Sequence, residues 1–249
     1  MGEMLTVQAI VLRYADYKEN DRMLTLFSLE QGKLSVAIKG VRKNGSKLRH
    51  ASEIFTYGEY IVAKSKDRYT VTQFNPIDSF YNLRLDFDKL SAGILMLNIC
   101  EETIFEGTCD HQLFVLVLRC LNQLCNSSSP ASDIISIFLL KYCVYGGYSP
   151  TLDFCVHCNS KTNLTHFDAS RGGACCKECA DATDLPFISS GALYLMNQII
   201  KMPMESVFNL KMSKAQGGEI YNILNKYVTL HLDKRLKIID YMQRYDLIH

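Results

Sequence analysis

Four cysteines in two Cys-x-x-Cys pairs constrain the fold of this chain more than any other feature of its sequence. Cys155 and Cys158 form the first pair, and Cys176 and Cys179 form the second after a gap of 17 residues. Each pair brings two thiolates to one turn, and four thiolates complete the tetrahedral coordination of a structural zinc site. The spacing therefore predicts one structural Zn²⁺ ion bound by these four residues, in a segment that ends near Pro186.

Two neighbouring side chains are alternative ligands. Cys175 stands beside the second pair, but only Cys176 gives the Cys-x-x-Cys spacing to Cys179. His157 lies inside the first pair, and because four thiolates are already available we expect it to be an exposed loop histidine. A catalytic zinc needs an open coordination position, which four cysteines close.

The remaining cysteines lie in apolar stretches, and we expect them to be small core residues. They are Cys100, Cys109, Cys120, Cys125 and Cys143. Ten cysteines are many for a chain of this size, and in the reducing compartment that we expect for it they favour thiols and metal sites over disulfides. The first four residues include an acid and no basic region, so we expect no secretory signal and a cytoplasmic protein.

The first 80 residues read as short strands rich in β-formers. The predicted strands are Leu5–Tyr14, Met23–Ser28, Leu34–Lys39, Ile54–Lys64 and Arg68–Phe74. No helix between them is long enough for a βαβ crossover, so the pattern predicts a small antiparallel β-barrel. An OB-fold is one such barrel and an SH3-like fold is another, and strand counting leaves both open.

After residue 80 the apolar residues follow a helical period. The predicted helices are Leu83–Glu102, His111–Cys125, Ile134–Tyr145, Ser189–Lys201 and Ala215–Tyr245, with Ser132 or Asp133 as the cap of the third. The fold class is therefore α+β. We expect a barrel domain over residues 1–80 and a mainly helical domain over residues 81–249, with the zinc segment inserted at about residues 150–186.

A basic loop follows the third predicted strand. Between Lys33 and Ser52 there is no acid, and the basic residues are Lys33, Lys39, Arg42, Lys43, Lys47 and Arg49. Clustered cations bind phosphates without sequence preference by releasing condensed counterions. A solvated loop is the plain alternative, but oligonucleotides bind to the loops and strands of an OB barrel. We therefore predict that these six residues contact DNA.

The same loop fails as a nucleotide-binding P-loop. That motif ends in Gly-Lys-Ser/Thr, whereas this chain has the order Gly45-Ser46-Lys47. No Ser/His/Asp or Cys/His constellation stands out either. We expect neither a nucleotide cofactor nor catalytic residues.

Taken in order, these segments resemble the RecO family of bacterial recombination mediators. The resemblance is carried by Tyr14–Leu26 with its Asp21-Arg22 step, Gly32–Leu34, Lys39–Lys43, Gly147–Pro150, Arg171–Gly173, both cysteine pairs and Tyr227–Lys237. It covers nearly the whole chain.

The resemblance implies an N-terminal OB-fold, a helical domain and a zinc ribbon. It further implies binding of single- and double-stranded DNA, annealing of complementary strands, and assistance to RecA loading together with RecR. The single-stranded-DNA-binding protein, through its C-terminal tail, is a further implied partner, and the implied location is the bacterial nucleoid. A zinc-stabilised protein-interaction scaffold without DNA binding is the alternative.

Overall fold

The computed structural model describes residues 3–66, 68–181 and 183–231. The chain divides into two compact units, one of Met1–Leu85 with Ile94–Val115 and one of Asp86–Gly93 with Leu116–His249. The division into domains at residue 80 stays a prediction.

The first unit contains five strands, one for each strand that the sequence predicts. They are β1 (Glu3–Tyr17), β2 (Asp21–Ser28), β3 (Gly32–Ile38), β4 (Tyr57–Ser65) and β5 (Arg68–Asp78). They close a barrel in the order β1-β2-β3-β5-β4. All neighbours are antiparallel except β3 and β5, which pair in parallel through Val36 with Tyr69 and Ala37 with Thr70. The antiparallel prediction thus fails at this one pair.

The first strand is longer than predicted because it pairs with two partners in turn. Residues 3–10 of β1 pair with β4, and residues 9–17 pair with β2. A register shift between Val11 and Arg13 marks a bulge, and a bulge bends its strand so that one strand can serve two sides of a barrel. Local pattern detects the apolar centre of such a strand and misses its polar ends.

Alternate residues of the strands fill the barrel. Leu24, Leu26 and Val36 are buried members of this core, as the period of two along a strand requires. Tyr60 is fully buried, and its hydroxyl donates a hydrogen bond to the carbonyl oxygen of Ala51 at 2.9 Å. Ala51 lies in a short 3₁₀ helix, His50–Ser52. The β3–β4 connection therefore returns to the core directly after the basic loop.

A segment beyond the strands also belongs to the barrel unit. Helix α1 spans Phe87–Thr103 and helix α2 spans His111–Asn126. Between them, the carbonyl oxygen of Phe105 accepts the N–H of Lys33, and the N–H of Gly107 bonds Gln31. The ring of Phe114 meets that of Phe27 edge-on at 5.0 Å. These contacts explain why residues 94–115 pack with the strands.

The second unit is mainly helical. Its further elements are α3 (Ala131–Tyr145), β6 (Leu164–Asp168), β7 (Gly173–Cys176), α4 (Lys177–Ala180), α5 (Ser190–Lys201) and α6 (Lys214–His231). Helix α3 is buried along most of its length and packs against α5 and α6. The predicted last helix is confirmed as far as His231, and its remainder lies outside the described residues.

Two local predictions are wrong. The cap of α3 is Pro130, whose side chain makes no capping hydrogen bond, so Ser132 and Asp133 lie inside the first turn. Cys109 is exposed, because it lies between α1 and α2, where its thiol donates to the carbonyl oxygen of Glu30. Cys125 is partly buried, whereas Cys100, Cys120 and Cys143 are buried as expected.

None of the helices within the described ranges is long and apolar enough to cross a membrane.

Candidate metal centre and nucleic-acid interface

The two Cys-x-x-Cys pairs meet in space. The Sγ atoms of Cys155, Cys158, Cys176 and Cys179 all lie within 4.8 Å of one another, and those of Cys158 and Cys176 are 3.6 Å apart. Four sulfurs placed 2.3 Å from one tetrahedral metal ion are separated by about 3.8 Å. The donor set and its spacing therefore fit a metal ion that prefers four thiolates.

Local backbone geometry positions each pair. The N–H of Asn159 bonds the carbonyl oxygen of Cys155 and closes the first turn, and Asn159 takes a left-handed φ of 63°. Asparagine tolerates this conformation better than most residues. In the second pair, Cys176 is the last residue of β7, and Cys179 lies one turn later in α4. Because β7 runs antiparallel to β6, the chain reverses its direction and the second pair comes to lie beside the first.

The thiols stabilise negative charge unequally. Burial acts to raise the pKa of Cys155, but backbone N–H groups of Cys176, His157 and Cys158 outweigh it and lower that pKa to about 6. Hydrogen bonds with Cys158 and Cys176 raise the pKa of Cys179. Four thiols this close cannot all become anionic without a compensating cation. A divalent metal ion held by the four sulfurs would supply that charge.

Neither alternative ligand belongs to the cluster of four sulfurs. Cys175 is buried beside the cluster, where its thiol approaches the carbonyl oxygen of Cys176 at 3.4 Å. His157 is half-buried and its Nε2 lies 2.9 Å from Oδ2 of Asp168. The expectation of an exposed loop histidine is therefore wrong. Hydrogen bonds from Ser170, Arg171 and His157 outweigh burial and lower the pKa of Asp168.

The basic loop starts against the turn between β1 and β2. The N–H of Gly40 donates to Oδ1 of Asp21 at 2.9 Å, and the N–H of Arg42 donates to the carbonyl oxygen of Asn20. The Arg42 guanidinium donates to the carbonyl oxygen of Glu19 at 3.1 Å and lies 3.5 Å from Oδ2 of Asp16. The first residues of the loop are thus fixed.

Arg22 fixes the other end of the loop. Its guanidinium lies 3.9 Å from the centre of the Tyr14 ring and donates to Ser52 Oγ and to Glu53 at 2.9 and 3.0 Å. Sequence reasoning missed this role for Asp21 and Arg22, although both stand in the segment that carries the family resemblance. The groups that they bind lie 19 residues further along the chain for Asp21 and 30 residues further for Arg22, so neither contact is visible in the local sequence pattern.

The six predicted DNA contacts separate into two groups. Lys39, Lys43, Lys47 and Arg49 are exposed, and none has an acidic partner within the described residues. Arg42 is exposed but paired with Asp16. Lys33 is half-buried, and its ammonium donates to the carbonyl oxygen of Glu101 at 2.8 Å. As a DNA contact each stays a prediction, and the geometry favours the first group.

Four uncharged side chains lie on the outer face of β2 and β3 beside this loop. Leu34, Val36 and Ile38 are buried, whereas the alternate residues Ser35 and Ala37 are exposed or partly exposed. Across the pair, Thr25 lies opposite Ser35, and Met23 lies opposite Ala37. No charged side chain projects from these four positions.

Comparison with known proteins decides the family. A family model described as recombination protein O, C terminal, matches residues 84–238, and one described as recombination protein O, N terminal, matches residues 1–80. The C-terminal match alone covers more than half of the 249 residues. The chain belongs to the RecO family.

Similar RecO proteins match along most of their length. A DNA repair protein RecO of Alkaliphilus metalliredigens is 30% identical over 233 residues, which cover 93% of this chain and 95% of that relative. One from Acetivibrio thermocellus is 28% identical over 98% of both chains. One from Desulfitobacterium hafniense is 33% identical over 92% of this chain and 85% of that relative. The resemblance to RecO inferred from the sequence is therefore confirmed.

Proposed function

We propose that this protein is a non-catalytic DNA-binding mediator of recombination in DNA repair. It binds single- and double-stranded DNA, anneals complementary strands, and assists RecA loading together with RecR. The observation that carries the proposal is a loop with no acid and with four exposed cations that have no acidic partner within the described residues, next to the uncharged positions Thr25, Ser35 and Ala37 of β2 and β3. The similar proteins from other bacteria are DNA repair proteins, which supports a role in DNA repair.

The barrel is proposed to be an OB-fold. Five strands close in the order β1-β2-β3-β5-β4, and the OB-fold is a five-stranded barrel that binds oligonucleotides on the face of strands 2 and 3. In this chain the small residues Thr25, Ser35 and Ala37 lie on that face. The basic loop leaves β3 at its edge, so one strand of DNA can lie on the face while its phosphates meet the loop.

The DNA contacts are proposed to be electrostatic. Lys39, Lys43, Lys47 and Arg49 contact phosphates directly, and Arg42 joins them after leaving Asp16. Annealing needs no covalent chemistry, because a positive surface that holds two strands lowers their repulsion and raises their effective concentration. With about four phosphates neutralised on a single strand, log K falls against log salt with a slope of about −3.

The cysteine cluster is proposed to hold one structural Zn²⁺ ion. Cys155, Cys158, Cys176 and Cys179 are its ligands, because four thiolates in a tetrahedral set are typical of closed zinc sites. The ion, when bound, cross-links the turn after Cys155 to the junction of β7 and α4. The metal therefore stabilises the ribbon of about residues 150–186 and takes no part in binding DNA.

The helical unit is proposed to bind protein partners. RecR and the C-terminal tail of the single-stranded-DNA-binding protein are the partners that family membership suggests. The protein acts in the cytoplasm, where the nucleoid supplies its DNA.

Strand annealing in the absence of ATP tests the proposal. We expect the wild type to anneal complementary oligonucleotides and a Lys43→Glu/Lys47→Glu variant to lose at least about tenfold in affinity for single strands. A Lys161→Glu/Lys211→Glu variant is the matched control, because it changes the same charge at two exposed positions of the second unit. Equal loss in both variants, or binding that salt does not weaken, overturns the loop assignment. Partner binding without DNA retention at low salt supports the scaffold alternative instead.

A further inference from the structure

Asp16 of β1 is placed between two guanidinium groups. Its Oδ1 accepts a hydrogen bond from Nε of Arg22 at 3.2 Å, and its Oδ2 lies 3.5 Å from Nη2 of Arg42. The Asp16 side chain is 51% exposed and that of Arg42 is 40% exposed, whereas that of Arg22 is only 17% exposed. One oxygen thus contacts a fixed structural arginine, and the other contacts an arginine at the surface.

Arg42 is distinctive among the cations of the basic loop. Within the described residues it is the one member of Lys39–Arg49 with an acidic partner, while its Nη1 also donates to the carbonyl oxygen of Glu19. Guanidinium groups bind carboxylate and phosphate through the same planar set of donors. The Asp16 carboxylate that Arg42 contacts in the free protein therefore offers the same kind of anionic oxygens as a phosphate of DNA.

We propose that Asp16 occupies the phosphate position of Arg42 in the free protein and must release Arg42 when single-stranded DNA binds. The proposal rests on the DNA-binding function above and adds an internal competitor to it. Each binding event exchanges one ion pair within the protein for one with DNA. Asp16 thereby lowers the affinity of the loop for any phosphate chain.

A purely structural role for Asp16 predicts the opposite sign. If the carboxylate only positions Arg42 for DNA, then weakening the pair misplaces the loop and lowers the affinity. If Asp16 competes with phosphate, weakening the pair raises the affinity. The direction of the change therefore separates the two roles.

Asp16→Asn is the variant that makes this comparison. The amide oxygen of asparagine can still accept from Nε of Arg22, so the fixed contact is kept while the negative charge facing Arg42 is removed. We expect fluorescence anisotropy to report affinity for a poly(dT) oligonucleotide that is about two- to fivefold tighter at low salt, the range that an exposed ion pair supports. The slope of log K against log salt should become more negative by up to about 0.7.

Glu3→Gln is the matched control, because it makes the same change of charge on the same strand. Glu3 pairs with Lys64 at 3.9 Å and is similarly exposed. We expect it to change affinity less than about 1.5-fold at moderate salt, since charges further apart than the Debye length are screened. An equal gain in Glu3→Gln and Asp16→Asn assigns the effect to net charge and overturns the proposal.

A double-mutant cycle with Arg42→Ala completes the test. In that background Asp16→Asn should change the affinity no more than Glu3→Gln does, because the competed cation is gone. An unchanged or weaker affinity of the single Asp16→Asn variant, with a wild-type melting temperature, overturns the proposal. The wild type and the Lys43→Glu/Lys47→Glu variant test the DNA-binding function separately, so failure of that function is distinguishable from failure of the role of Asp16.

Discussion

Lys33 Nζ donates a hydrogen bond to the carbonyl oxygen of Glu101 at 2.8 Å, across 68 residues of sequence. Glu101 lies in the last turn of α1, where carbonyl groups have no partner within the helix. The side chain of Glu101 is held as well, because Arg13 Nε lies 2.7 Å from its Oε1. A lysine that sequence alone assigns to DNA therefore caps a helix.

We expect Lys33→Met to lower the stability of the protein by about 1 kcal/mol, because the carbonyl oxygen of Glu101 loses its charged hydrogen-bond donor. Its affinity for single strands per folded molecule should stay within about twofold of wild type. Lys43→Met is the control and should behave in the reverse way, with stability kept and affinity reduced. Urea denaturation and anisotropy measure the two quantities, and a large loss of affinity in Lys33→Met would restore Lys33 as a DNA contact.

Gly32 provides a second test of how residues 105–108 attach to the barrel. It has a φ of 65°, and a Cβ at this position would lie 2.2 Å from the carbonyl oxygen of Thr108. Gly107 has a φ of 73° but nothing within 4 Å of such a Cβ. Gly107→Ala should therefore cost about 1–2 kcal/mol from backbone conformation alone. Gly32→Ala should cost at least about 2 kcal/mol more, and equal losses in thermal unfolding would contradict the close approach.

Loss of the proposed metal ion should affect folding more than DNA binding. We expect about one zinc per wild-type chain by elemental analysis, and little in Cys176→Ser, which should lose at least about 3 kcal/mol of stability and much of its soluble yield. DNA affinity per folded molecule should change far less. Cys109→Ser is the control, since Cys109 is exposed and outside the four-sulfur cluster. A zinc-free Cys176→Ser variant of normal stability would show that the site is not structural.

Asp133 should make stability depend on pH. Burial raises the pKa of its carboxyl, despite the hydrogen bond from Ser132. The folded chain therefore holds this proton more tightly than the unfolded chain, and its stability falls as pH rises from the ordinary pKa of Asp through the raised one. Asn cannot lose a proton in this way, so Asp133→Asn should melt about 2 °C higher at pH 7.

The same gain should shrink at a low pH close to the ordinary pKa of Asp, because the raised pKa makes the buried carboxyl of wild type take up its proton before an exposed one does. Asp88→Asn is the matched control, because Asp88 also stands in the first turn of a helix but is exposed. A gain in Asp133→Asn that is the same at both pH values would show that the burial of Asp133 does not control its ionisation.

Local pattern predicted the elements because local physics sets them. Alternating burial along Leu34–Ile38 and helical spacing around Leu113–Leu124 depend on neighbours within a few residues, and both predictions are confirmed. The meeting of four cysteines could also be predicted, because a metal site restricts ligand types and spacing. Local pattern predicts the ends of elements less well. At α3 the cap is Pro130, which lies one residue before the helix and whose side chain makes no capping hydrogen bond.

Contacts that join distant residues could not be predicted in the same way. Tyr60 with Ala51 and Arg22 with Glu53 each connect side chains to groups whose position depends on how the barrel closes. Asp16 is the clearest case. Its sequence neighbourhood indicates an ordinary exposed acid, and only the register of β1 with β2, which sets Asp16 opposite Arg22, brings it to Arg42.

The inclusion of residues 94–115 in the barrel unit governs how the protein can be cut into pieces. A fragment ending at Leu85 would keep all five strands but lose Phe114, so the ring of Phe27 would be exposed to solvent. It would also lose Phe105, whose carbonyl oxygen accepts the N–H of Lys33. Such a fragment would present fresh apolar surface and aggregate. Workers who wish to study DNA binding by the barrel in isolation should therefore extend the chain through Val115, past the boundary that strand counting suggests.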